Sequence, residues 1–194
     1  KESLASELQF LKAQLQPHFL FNVLNNLYFM MQKDSQKASE ALLKLSDVMR
    51  YQLYEPAAEK ICLGKEIKNI SNYIELEKIR REDNVKLQLD IPANASDYMI
   101  HPYILMPLVE NAFKHLSRYE NRLNTVGVAL KLDKDILDVE VVNSKENNCS
   151  PVGSGGIGIK NLKRRLELLY KDKHELKIEE GKEYYKVNLK LNSQ

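Results

Sequence analysis

The chain has 194 residues, enough for one large domain or two small ones. It is 43% hydrophobic and 29% charged with a net charge of +2, and its acids and bases are interspersed. That balance excludes wholesale disorder and the basic stripe of a nucleic-acid binder, so no direct nucleic-acid partner is expected. Cys62 and Cys149 lie far apart with no metal-ligand spacing, which fits a reducing compartment without a disulfide framework. No run approaches the roughly 20 apolar residues of a membrane helix, and no signal peptide opens the chain. The sequence starts without methionine inside a helical pattern. It reads as a cytoplasmic fragment whose membrane anchor would lie upstream.

In chain order, Leu4, Leu8, Leu11 and Leu15 recur at the 3.5-residue spacing of a coiled-coil seam. Carried forward, that register reaches His18, Asn22 and Asn25, but Pro17 kinks a helix and resets the phase. Ala38, Ala41, Leu42, Leu45, Val48, Met49 and Leu53 predict a second helix, broken at Glu55-Pro56-Ala57-Ala58. Ile67, Ile70, Ile74 and Ile79 predict a third, ending near Asp83-Asn84. Val85 to Ile91 then alternates as a half-buried strand. A mostly apolar helix is predicted from Pro102 to Leu116. Val126 to Leu132 and Leu137 to Val141 form a hairpin about Asp133-Lys134-Asp135, followed by a polar loop from Asn143 to Val152. A glycine-rich stretch opens a helix carrying Ile159, Leu162, Leu166 and Leu169, and a hairpin about Glu180-Gly181 closes the chain. Helices first and a mixed, largely antiparallel sheet second imply an α+β protein of two domains.

Three features carry chemistry. On the fourth predicted helix, Glu110 and Lys114, and likewise Asn111 and His115, are four residues apart and therefore neighbours on its surface. Amide and carboxylate oxygens suit Mg²⁺, and lysine and histidine suit phosphate; a solvated polar edge is the plainer alternative. The glycines, Gly153 to Gly158, let a backbone approach a phosphate at a helix N-terminus. Gly153, Gly155 and Gly158 also match a dinucleotide fingerprint, with Glu179 about twenty residues on. That reading fails because no strand directly precedes them and only a hairpin follows Glu179. Third, His18 can accept a phosphoryl group on an unprotonated ring nitrogen, with Asn22 one turn on to orient the ring; a histidine packed in a bundle core is the alternative. His101 and His174 have no supporting neighbours and are read as structural.

The strings LKAQLQPHFLFNVLNNL (11–27), KLSDVMRYQLY (44–54) and NYIELEKIRRED (72–83) closely resemble the signature of the LytS/YehU-type bacterial sensor histidine kinases. PLVENAFKH (107–115) resembles the N box of the GHKL ATPases, and GGIGIKNLKRRLELLY (155–170) resembles their later glycine box. The resemblance implies a helical dimerisation and phosphoacceptor domain over residues 1–83. A Bergerat-type (GHKL) α/β sandwich binding ATP and Mg²⁺ would follow over 84–194. It implies that His18 receives the γ-phosphoryl group, Glu110 polarises the reacting system and Asn111 holds Mg²⁺. Lys114 and His115 would lie near the phosphates, Gly156 and Gly158 would let the lid backbone approach them, and Asn161 would be close by on the following helix. It further implies a homodimer that passes its phosphoryl group to an aspartate on a response regulator, often of LytTR type, with the full-length protein anchored in the inner membrane.

Two departures stand out. Where most GHKL proteins carry Asp-x-Gly-x-Gly, this chain has Asn143-Ser144-Lys145-Glu146, so the adenine amino group would meet a neutral acceptor. The lost charge assistance costs about 1 kcal/mol, close to tenfold in affinity. Phe19 follows His18 where many sensor kinases have an acid, which leaves the base unidentified. A degenerate module that dimerises and signals without ATP is the competing expectation.

Overall fold

The computed structural model describes residues 17–55, 58–81, 84–92, 98–146 and 157–192. The leucine seam before Pro17 and the glycines before Ile157, Gly156 among them, lie outside the described residues. The described residues fall into two compact units. One holds those up to 55 together with 71–81; the other holds 58–70 together with those from 84 onward.

The first unit is built on helices α1 (Pro17–Lys33) and α2 (Ser35–Tyr54), which pack on each other across the single residue Asp34. Asp34 is extended and caps α2, its Oδ1 accepting the Lys37 N–H at 3.0 Å. That bond is the main reason its carboxyl titrates below the usual range. Burial along α1 follows Phe19, Val23 and Leu27, one or two residues beyond the projected His18, Asn22 and Asn25, so the phase does reset. Helix α3 (Leu63–Arg81) is shared: its second half brings Tyr73, Ile74 and Leu76 into this core, with the Tyr73 ring 4.8 Å from Phe19. Buried Glu77 is held by Tyr73 Oη at 3.3 Å and by Nε of Arg80 and of Arg81 at 3.1 Å each.

The second unit is a five-stranded sheet in the order β2 (Val85–Asp90), β4 (Asn124–Asp133), β5 (Ile136–Ser144), β7 (Tyr184–Asn192), β6 (His174–Glu180). Strand β2 pairs parallel to β4, and every other pair is antiparallel. A small ladder, β1 (Ile61–Cys62) with β3 (Met99–Ile100), lies apart from it. Val126, Val128, Leu130, Leu137, Val139, Val141, Val187, Leu189 and Leu191 bury one face of the sheet. Helices α4 (Met106–Lys114) and α5 (Ile157–Leu169) pack on each other, and α4 packs on β4 and β5. The opposite face carries ion pairs such as Lys186–Glu140 at 2.6 Å, as its alternating polar positions require. A mixed sheet covered by helices matches the expected α+β class.

Two boundaries differ from expectation. Helix α4 starts at Met106, not Pro102, because residues 102–105 form a turn in which Tyr103 has φ of 62°. Asn143 and Ser144 belong to β5, not to the loop after it: the register continues through Asn143↔Tyr185 and Ser144↔Tyr184. Their polar side chains imitate a loop, but the backbone keeps its ladder.

Candidate nucleotide site and phosphoacceptor

Helix α4 owes its start to a residue far away in sequence. Its N-cap, Leu105, has no side chain to offer the free N–H groups. Glu66, on the first half of α3 and fully buried, supplies the acceptors instead. Its Oε1 takes the N–H of Leu105 at 3.0 Å and of Met106 at 3.2 Å; its Oε2 takes that of Tyr103 at 3.0 Å. A carboxylate there also faces the positive end of the helix dipole. Sequence reasoning missed Glu66, although an acid on the stripe of Leu63 and Ile70 was a usable signal.

Along α4, Leu108, Val109, Ala112 and Phe113 are buried, Glu110 and Asn111 are half-buried and Lys114 is exposed. Glu110 Oε1 accepts the Tyr103 phenol at 3.0 Å. His115 is the C-cap, its N–H bonded to the Asn111 carbonyl at 3.0 Å. Its Nε2 is buried with no hydrogen-bond partner among the described residues. Burial first, then the Lys114 charge, holds its imidazole below its ordinary range, so it is neutral at neutral pH.

Asn143 joins α4 to the sheet. It is 1% exposed, and its Nδ2 donates to the His115 carbonyl at 3.3 Å and the Ser144 carbonyl at 3.0 Å. Both partners are obligate acceptors, so the amide cannot be turned round without facing oxygen to oxygen. Oδ1 is thereby the acceptor the side chain has left to offer. Opposite it in register stands Tyr185, whose buried hydroxyl also has no partner among the described residues.

Behind Asn143 runs a polar network that the sequence did not announce. Thr125 N–H donates to Ser144 Oγ at 2.9 Å, Ser144 Oγ lies 2.6 Å from Ser117 Oγ, and Ser117 Oγ donates to Asn124 Oδ1 at 2.6 Å. Ser117 has one hydroxyl proton, already given to Asn124, so Ser144 is the donor between the two serines. Tyr119 N–H also reaches Asn124 Oδ1, at 2.9 Å, and the Asn124 amide returns to the Asn84 carbonyl at 3.1 Å. The segment after α4 is thus fixed to the ends of β4 and β5.

Gly158 is exposed, in the first turn of α5, and a Cβ there would meet nothing within 4 Å. The unit's own packing therefore does not demand glycine at a place where alanine suits a helix better by about 1 kcal/mol. Asn161 is exposed on the same helix. Among the described residues no group of three or more His, Cys, Asp or Glu could hold a metal ion.

In the other unit His18 is exposed on the first turn of α1, with Asn22 Nδ2 3.2 Å from both ring nitrogens. No point in the ring plane is that far from both without colliding with the ring's own atoms. The amide therefore lies over the face, and the in-plane lone pair that a phosphoryl group needs is not taken by it. His101 stands edge-on against the Tyr170 ring, with its Nδ1 buried and unpartnered among the described residues, and His174 Nδ1 lies 2.7 Å from the Tyr170 carbonyl.

Residues 6–85 match the family model described as Histidine kinase. Over 187 residues the chain is 32% identical to Sensor protein LytS of Staphylococcus haemolyticus, covering 90% of this chain and 32% of that protein. It is 28% identical to Sensor histidine kinase BtsS of Escherichia coli, covering 96% of this chain and 33% of that one. The chain thus spans about a third of the length of these curated relatives. In fold it is similar to the histidine kinase domain of the Erythrobacter litoralis blue-light activated histidine kinase. That match has a TM-score of 0.51 at 14% identity, over 98% of this chain and 95% of that one. With the PHFLFN and VENAFKH strings placed on α1 and α4, the chain carries a histidine kinase match over residues 6–85 and is similar over most of its length to the sensor proteins LytS and BtsS.

Proposed function

We propose that this chain is the kinase core of a two-component sensor, an ATP-dependent protein histidine kinase in which His18 is the phosphoacceptor. The observation that carries the reading is His18 itself: an exposed imidazole with an open in-plane lone pair, inside the segment that matches the histidine kinase model. Dimerisation and phosphoacceptance are assigned to residues 1–83 and ATP binding to 84–194, although residues 58–70 pack in the sheet unit, where Glu66 caps α4. The sheet unit fits a nucleotide on its own chemistry: Asn143 Oδ1 is a fixed acceptor for an adenine amino group, and His115 Nε2 and the Tyr185 hydroxyl are polar atoms awaiting partners. Gly158 leaves room for phosphate at α5, with Asn161 nearby and Gly156 as a further lid position.

Asn111 would hold Mg²⁺ through its amide oxygen, since this cation takes most of its shell from water and phosphate, and the ion would neutralise charge at the phosphates. Lys114 adds a positive charge on the same helix. His18 donates a ring-nitrogen lone pair to the γ-phosphorus. The N–P bond forms as the bond to the bridging oxygen breaks, and ADP departs with that electron pair. Glu110 polarises the reacting groups, and catalysis is mainly positioning and electrostatic support.

Self-association is supported by α1, where Phe21, Leu24, Tyr28 and Met31 are exposed at alternating spacings of three and four, a heptad seam that the described residues leave uncovered. We therefore propose a homodimer. Phosphoryl transfer onward to a response regulator, of LytTR type, and membrane anchorage of the full-length protein belong to the same proposal and rest on the resemblance of the quoted strings to the LytS/YehU-type kinases. No described helix is long and apolar enough to cross a membrane. Incubation with γ-labelled ATP tests the acceptor: His18→Ala is expected to lose label while keeping ATP affinity, and equal labelling of the two proteins would refute the assignment.

A further inference from the structure

We propose that Tyr103 is a positioning residue for phosphoryl transfer: its phenol fixes the Glu110 carboxylate, and Glu66 fixes Tyr103. The inference rests on the kinase reading above and on the part given there to Glu110.

The starting observation is backbone strain. Tyr103 has φ of 62°, in the left-handed region that bulky side chains avoid. Such a conformation persists only where its surroundings over-determine it, and it gathers at functional sites. Here the determinant is visible, since Glu66 Oε2 takes the Tyr103 N–H at 3.0 Å. Capping α4 does not require this. Glu66 Oε1 already serves Leu105 and Met106, and glycine or asparagine at 103 would turn the chain with less strain.

What tyrosine adds is reach. The left-handed turn lets the ring, 7% exposed, run beside the helix that follows. The phenol there meets Glu110 Oε1 at 3.0 Å, seven residues on and about one turn into the helix. A directional bond from a rigid ring restricts the rotation of the Glu110 carboxylate about its last bonds. Glu66 acts through the backbone and Tyr103 through its hydroxyl. The two carboxylates are thereby linked across the turn without touching each other.

The test uses the purified chain as wild type, Tyr103→Phe, Glu110→Ala and the double variant. Phenylalanine keeps the ring and its packing and removes only the hydroxyl. Tyr103→Phe is expected to bind the Mg²⁺ complex of a non-hydrolysable ATP analogue within about twofold of wild type, while its labelling rate at saturating ATP falls about tenfold. In the Glu110→Ala background the same change is expected to alter the residual rate less than about twofold, because the bond is already gone. Without nucleotide, the losses in melting temperature of the two single variants should fail to add. Full labelling rate in Tyr103→Phe beside a defective Glu110→Ala would overturn the proposal, as would additive effects on rate or melting. A wild type that neither binds nor is labelled overturns the kinase reading, and the role of Tyr103 with it. The melting cycle then still reports whether the two side chains are coupled.

Discussion

Both units break the simple rule of apolar inside and polar outside, the helical unit mainly through exposed apolar side chains and the sheet unit mainly through buried polar ones. In the helical unit, Phe21, Tyr28 and Met31 are 62–65% exposed, with Leu24, Leu42 and Leu43 exposed beside them. In the sheet unit, Glu66, Asn124, Asn143 and Ser117 are almost wholly buried. The difference separates what each unit lacks. An apolar surface is stabilised by a second protein surface, which is the basis of the homodimer proposed above. Buried polar groups are stabilised by hydrogen bonds, and the sheet unit satisfies most of its own, while the Asn69 amide, His101 Nδ1, His115 Nε2 and the Tyr185 hydroxyl have no partner among the described residues.

The largest expected break in this contrast is at Glu66. Glu66→Ala strands the N–H groups of Tyr103, Leu105 and Met106, and should cost about 3–5 kcal/mol in urea unfolding of the sheet unit. A loss below about 1 kcal/mol would show that the cap is dispensable. Next comes the exposed seam. Replacing Tyr28 and Met31 together with glutamate should weaken dimerisation on the order of 100-fold by sedimentation, with helix content unchanged. An unaltered dimer would move the interface elsewhere.

A smaller effect sharpens the polar side. Asn143→Asp installs the residue most GHKL proteins carry, yet here it puts a carboxylate against the His115 and Ser144 carbonyls. It should destabilise the unit by about 1–3 kcal/mol in thermal unfolding. A gain in stability would mean that the amide is not held as described.

The smallest effect is at His115. Its imidazole titrates below its unfolded value, so its contribution to stability is present above about pH 6.5 and lost as the pH falls below that, toward its folded value. His115→Asn should flatten that part of the curve of stability against pH, and an unchanged slope would contradict the burial argument.

These same residues show what the sequence could and could not reveal. Helix α2 and the two hairpins of the sheet were legible because their signals are local: apolar spacing of three and four, alternation, and turn residues at Asp133-Lys134-Asp135 and Gly181. The VENAFKH string placed Glu110, Asn111, Lys114 and His115 on one helix for the same reason. What stayed hidden depends on distance. Glu66 meets its partners 37 to 40 residues away, and Ser117 meets Ser144 27 residues away, separations over which no periodicity exists. Asn143 and Ser144 were taken for loop because polarity is a proxy for exposure, and here the proxy fails inside a strand. The left-handed turn at Tyr103 was hidden for a further reason: tyrosine is the wrong residue for it, and only the distant carboxylate explains it.

The account turns on whether the sheet unit binds nucleotide through these groups. A calorimetric titration with the Mg²⁺ complex of a non-hydrolysable ATP analogue, comparing wild type with Asn111→Ala, tests this most directly. Saturable binding by wild type, lost in Asn111→Ala, is the predicted result and would show that a clamped asparagine at 143 suffices for the nucleobase. No binding by wild type at millimolar nucleotide would contradict it and leave a helical scaffold that signals without ATP.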